Sequence, residues 1–171
     1  MESQGLSPGK FARNYGLMLG LALVLIAVIM YATGMQLEGV KWPMYLFYIL
    51  FPIVIIYAIR QYKKQNGNLL SLSEALKVGL ATAIVSALVY AIYGLLFNYV
   101  IDPEFIGLAI EAEMDRMMEN PNMTEEMLEQ SKKMIEMFSN PLVGTTLWIA
   151  LSAIFGLIYS LIGGLIMKKE A

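Results

Sequence analysis

Residues 76–101 read LKVGLATAIVSALVYAIYGLLFNYVI, a run whose single charge, Lys77, sits at its edge. A hydrocarbon core of about 30 Å needs about 20 consecutive apolar residues in helical form, and this run supplies them. Three further runs share the character: Tyr15–Met35, Trp42–Ile59 and Leu142–Met167, none with any charged residue. The chain is 58% hydrophobic, beyond the roughly 45–50% of soluble domains. The fold class expected is therefore an all-α membrane protein of four transmembrane helices, 15–35, 42–59, 76–101 and 142–167, forming one domain over 1–171. About 80 residues remain outside the spans, too few for an additional soluble domain of common size. The first run is longer than a signal-peptide core and no A-x-A site follows, so it reads as retained.

Charge sets the expected orientation. Lys10, Arg13, Arg60, Lys63, Lys64, Lys77, Lys168 and Lys169 fall on one side if the spans alternate, with only Glu2, Glu74 and Glu170 as acids there. The positive-inside bias then predicts that both termini are cytoplasmic. The opposite side carries Glu38, Lys41 and the long connection 102–140. That connection holds ten acids against Arg116, Lys132 and Lys133, a net charge of -7. It is expected to be periplasmic.

Inside lipid, burying leucine gives little drive for helix association, so small residues that admit close backbone contact matter most. The third span carries Ala75, Gly79, Ala83, Ala87 and Ala91 at four-residue spacing; the fourth carries Ser152, Gly156, Ser160 and Gly164; the first carries Ala12, Gly16 and Gly20. Positions four apart share a helix face. Such stripes suit packing of the third span on the fourth, or a face offered to a partner subunit. The second span is aromatic, with Trp42, Tyr45, Phe47, Tyr48, Phe51 and Tyr57, and carries Pro52 at mid-span. It reads as a lipid-facing helix, or as one whose proline opens a lateral groove.

The acidic connection reads as a helical hairpin. Phe105 to Met118 is the first helix, Asn120-Pro121-Asn122 is a break, and Asn122 with Glu125 suggests a capping box for the second helix. Met117, Met127, Met134, Met137 and Phe138 form a candidate partner surface, since thioethers make adaptable apolar contacts. Packing of the hairpin on itself or on lipid is the plainer reading, and Cu(I) binding by the thioethers a third.

The chain has no Cys and no His, which removes disulfides, thiol chemistry and imidazole catalysis. No charged residue lies at mid-depth, where ion and proton routes usually keep one. No nucleotide-binding glycine loop is present. The expectation is a protein that is not an enzyme and takes no cofactor, metal or nucleic acid.

The stretch Tyr57-Ala58-Ile59-Arg60-Gln61-Tyr62-Lys63-Lys64-Gln65-Asn66-Gly67, followed by LLSLSEALKVG at 69–79, resembles the uncharacterised bacterial membrane proteins known as domain of unknown function 4199. The matching features are Tyr62-Lys63, Asn66, Gly67, Ser71-Leu72 and Lys77-Val78-Gly79, with Leu72 where that pattern has an aromatic residue. The resemblance spans nearly the whole chain. It implies a four-span inner-membrane protein and brings no activity or binding residue. Physically, Asn66-Gly67 is a turn, and Ser71 or Ser73 can cap the third helix, Ser71 with Glu74 at capping-box spacing. Tyr62, Lys63, Asn66 and Gly67 therefore read as a helix-entry turn or as a docking motif.

The leading functional expectation is an accessory or scaffold subunit that contacts lipid and other membrane proteins, or itself, through the small-residue faces and the Met-rich hairpin. The alternative is a small-molecule or lipid transporter acting as a homo-oligomer, with a pocket near Pro52 and Tyr90. A membrane enzyme ranks third.

Overall fold

The computed structural model describes residues 7–169, so Glu2 and Glu170 lie outside the described residues. Helix α1 covers Pro8–Ala32, α2 Trp42–Gln65, α3 Leu72–Leu96, α4 Phe105–Met118, α5 Glu125–Ser139 and α6 Pro141–Met167, with a π-helical turn Phe97–Ile101 extending α3. No strand is present among the described residues. Helices α1, α2, α3 with its π-turn, and α6 are long and apolar enough to cross a membrane. The shortest, α2, has 24 residues, about 36 Å at 1.5 Å per residue, which exceeds the hydrocarbon thickness.

Local chemistry sets the helix ends. Proline occupies the first turn of α1, α2 and α6, where its missing N–H costs nothing. The expected first span runs to Met35, but α1 closes at Ala32. Gly34 at φ +73° leaves the helical region, and the Thr33 hydroxyl donates back to the Ile29 carbonyl at 2.7 Å. Ser71 caps α3 in a full capping box with Glu74. Asn140 caps α6, its Oδ1 accepting from the amides of Leu142 at 3.0 Å and Val143 at 3.3 Å.

Helix α3 is the centre of the bundle. Its most extensive contacts are with α1 and α6, while α2 packs on all three. On the α1 side, a Cβ added to Gly16 would stand 2.6 Å from Val85 Cβ, and one on Gly20 2.6 Å from Val89 Cβ. On the α6 side, a Cβ on Gly79 would overlap Ser160, one on Gly156 would overlap Ala83, and one on Gly164 would stand 2.8 Å from Ala75 Cβ. Real side-chain carbons do not approach so closely, so these helices touch through backbone. Ala87, Ala91 and Ser152 are buried along the same seams. The small-residue stripes are therefore packed against neighbouring helices within the chain.

The burial pattern is inverted relative to a water-soluble bundle. Leu21, Leu25, Ile53, Ile92, Leu151 and Ile166 point outward, whereas Thr82, Ser86, Ser152 and Ser160 are buried. An exposed leucine is no anomaly where hydrocarbon is the solvent.

The hairpin sits at the end of the bundle opposite the start of α1 and the end of α6. Phe105 of α4 is buried against Tyr31 and Phe97, with ring centres 5.2 and 5.4 Å away. The Tyr31 hydroxyl donates to Asp102 at 2.8 Å. Arg116 pairs with Glu113 and donates to the Leu37 carbonyl at 2.7 Å, tying α4 to the α1–α2 connection. Gly39, at φ +70°, leaves room for that guanidinium. The second hairpin helix is capped by Thr124, whose hydroxyl accepts from the Met127 amide at 3.2 Å, and not by Asn122. The reason is the preceding turn. Asn120 accepts from the amides of Asn122 and Met123, which holds this stretch out of the helix until Thr124.

Replacing Gly156 with Leu, or Gly20 with Leu, should destabilise the bundle by about 1–3 kcal/mol or more, as overpacking does. Gly94→Ala is the control: nothing lies within 4 Å of the added carbon, and the helix gains propensity. Thermal unfolding in detergent should lower the melting point for the first two and leave the third unchanged or raised. Equal behaviour of all three would contradict the packing described.

Candidate functional site

Three places in the fold bring polar or exposed functional groups together. The first is the end formed by the start of α1, the α2–α3 turn and the end of α6. There α2 closes in a Schellman turn: the Asn68 amide donates to the Lys63 carbonyl at 3.0 Å, with Gly67 left-handed at φ +65°. Asn68 is also left-handed, at φ +62°. Tyr62, only 1% exposed, donates through its hydroxyl to Glu74 Oε1 at 3.1 Å, and Asn66 Nδ2 donates to the same oxygen at 3.2 Å. Glu74 Oε2 accepts from the Ser71 amide at 2.8 Å and the Ser71 hydroxyl at 2.9 Å. One carboxylate thus gathers the end of α2, the turn and the start of α3. Lys63 Nζ donates to the Met167 carbonyl at 2.6 Å, a cation on the C-terminal end of α6 where the helix dipole favours it. Leu70 and Lys169 exchange backbone hydrogen bonds at 2.8 and 3.0 Å. Tyr62, Lys63, Asn66 and Gly67 are brought together here as a closed latch whose polar groups are mutually satisfied.

The second place is a pair of adjoining cavities at the hairpin end. One, of about 390 Å³, opens between α2 and α6 and is walled by Phe47, Phe51, Tyr90, Phe155 and Tyr159. The other, of about 370 Å³, lies beneath the hairpin, among Tyr93, Phe97, Asn98, Asn140 and Thr145. They share Ala27, Gln36, Tyr90 and Trp148. No charged residue lines either one. The Tyr90 and Trp148 rings lie 5.0 Å apart, and Phe47 meets both edge-on. Pro52 has no amide hydrogen, so the Tyr48 carbonyl at the cavity rim loses its helical donor. The π-helical turn carries Phe97 and Asn98 into the second cavity; such turns recur at functional sites.

The third place is α5. None of its residues is buried. Met127, Met134, Met137 and Phe138 are each about half exposed, while Leu128 and Ile135 are partly covered. Met117, on α4, is partly covered too. The polar side carries the ion pairs Lys133–Glu129 and Lys132–Glu136.

Sequence reasoning named Pro52 and Tyr90 for a pocket but not Trp148, Ser152 or Asn98. Trp148 and Ser152 lie on α6 and Asn98 on the π-turn after α3, and only the packing of α2 and α3 on α6 brings them to the two adjoining cavities. Their signal was present as a four-residue step, Trp148 to Ser152, inside a span read for its small residues alone.

Glu74→Ala removes the reciprocal half of the Ser71 capping box and the carboxylate to which Tyr62 and Asn66 donate. The loss should be about 2–4 kcal/mol, from the capping box and the lost charged acceptor together. Tyr62→Phe should cost about 1 kcal/mol, since it deletes a single neutral donor. Denaturation in mixed micelles measures both; a Glu74→Ala protein as stable as the parent would contradict the latch.

No curated protein and no solved structure matches this chain. A family model does, over residues 14–169, under the description "Protein of unknown function (DUF4199)". The match takes in α1 from Asn14, the whole of α2, α3 and α6, and the latch between α2 and α3, and the chain belongs to the DUF4199 family.

Proposed function

We propose that this chain is a non-enzymatic, multi-pass protein of a bacterial inner membrane that serves as an accessory or scaffold subunit. In this reading its termini and the 60–74 connection are cytoplasmic, and the 102–140 hairpin is periplasmic. The observation that carries it is α5, a helix with an apolar face of Met127, Met134 and Phe138 that the chain itself leaves uncovered. Methionine adapts to irregular partners, and an apolar patch rimmed by charge is a usual mark of an interaction surface. The hairpin's net charge of -7 disfavours both anionic headgroups and a second copy of the same face. It favours a membrane protein whose contact surface is apolar with a basic rim.

A second reading, passage or carriage of a small molecule or lipid, draws support from the uncharged cavity beside Pro52 and Tyr90. Ligand sites commonly occupy about 300–1,000 Å³ and lie between the helices of bundles.

A photo-crosslinking residue at Met134 in native membranes should give one discrete protein adduct, and the same residue at Lys133 little or none. Met134→Asp should abolish co-purification of that adduct's partner while leaving the melting point within about 0.5 kcal/mol of the parent's stability, as for a surface change. Adducts to lipid alone, or an Asp variant that retains the partner, would sink the scaffold reading.

A further inference from the structure

Four hydroxyls are buried in the bundle: Thr82, Ser86, Ser152 and Ser160. Three are satisfied by their own helix. Thr82 donates to the Val78 carbonyl at 2.9 Å, Ser86 to Ala83 at 2.8 Å and Ser160 to Gly156 at 2.6 Å. Such back-bonding is the ordinary fate of a helical hydroxyl. Ser152, 3% exposed, makes no hydrogen bond among the described residues, and it lines the larger cavity. One turn away on the same face, Trp148 lines both cavities, and its indole N–H is the buried side-chain polar atom without a partner among the described residues. Tyr90 lines the same cavity, its ring 5.0 Å from that of Trp148. Three neutral groups, each an N–H or O–H donor, line a space walled by aromatic rings.

Buried polar groups are nearly always satisfied, and an exception asks for an absent partner. Water is a poor candidate for the larger cavity, whose rim residues Tyr48, Leu151 and Phe155 face outward on the apolar belt. Ser152 lies eleven residues past Pro141, about 16 Å along α6 and so about half-way through a 30 Å hydrocarbon core. At that depth the missing partner must be soluble in lipid. The lining holds no charge, so the partner is neutral. The orphaned group is an indole N–H, which only donates, so the partner brings an acceptor.

We propose that the joined cavities bind one uncharged, carbonyl-bearing amphiphile drawn from the membrane. Its carbonyl oxygen accepts from Ser152, Trp148 and Tyr90, its apolar body lies among Phe47, Phe51 and Phe155, and its remaining polar end reaches the space beneath the hairpin. The shared chemistry is a neutral carbonyl on a hydrocarbon frame, as in a quinone ring or a glyceride ester. This site rests on the second reading above and is independent of the hairpin surface. Binding to purified protein does not require transport, so the two fail separately.

Native mass spectrometry of the full chain released from detergent micelles tests it, with decylbenzoquinone, dioctanoylglycerol and dodecyl phosphate added in separate runs. The expected result is a single adduct with the quinone, the glyceride or both, and none with the phosphate. An adduct with only one neutral probe assigns ring carbonyl or ester as the source. Ser152→Ala should weaken binding about fivefold, the worth of one neutral hydrogen bond. Ser152→Leu should abolish it by filling the space, and Thr146→Ala, at an exposed back-bonded hydroxyl, should leave it unchanged. The proposal is overturned if neither neutral probe binds better than the phosphate, or if Ser152→Ala binds as tightly as the parent. The alanine variant removes one oxygen only, so the test stands even if the leucine variant fails to fold.

Discussion

A helix surrounded by hydrocarbon gains nothing from hiding a leucine, so this bundle is held where backbones touch. Every other feature follows from that constraint. Helix α3 presents small residues toward α6 and carbonyls and β-branched side chains toward α1, and both neighbours answer with glycine or serine. The large apolar residues turn outward, as suits helices long and apolar enough to cross a membrane. Polar side chains can be buried because the helix supplies acceptors one turn back.

The two ends of the bundle solve different problems. At the end opposite the hairpin, helix ends left open would expose unpaired carbonyls and amides. Glu74, Ser71, Asn66, Tyr62 and Lys63 close them, and the Leu70–Lys169 pairing brings α6 back onto the turn. The other end is looser. The hairpin is fastened by Arg116, Tyr31 and Phe105 near α4, while α5 lies with an open apolar face and a cavity beneath. The interior thus grades from closed backbone contact to accessible space toward the hairpin.

The spans were legible because lipid demands long charge-free runs, and residues 76–101 satisfy that demand almost without exception. The Ser71–Glu74 cap was legible because both partners of a capping box lie within one turn. The Thr124 cap was not, because Asn122 offers the same chemistry two residues earlier, and the choice depends on a turn that Asn120 closes. The cavity between α2 and α6 was legible only in part. Tyr90 and Pro52 drew notice singly, but whether an aromatic residue packs, faces lipid or walls a cavity depends on the neighbouring helix. The reach of Lys63 to the end of α6 spans 104 residues of chain and leaves no local trace.

The account stands on a chain threaded through lipid four times, with the latch and the hairpin on opposite faces. Because the chain has no cysteine, one introduced at Asn66 or at Asn122 is a unique reporter. A membrane-impermeant maleimide applied to spheroplasts should label the Asn122→Cys protein and spare the Asn66→Cys protein until the membrane is opened. Equal labelling of both before opening would contradict the account.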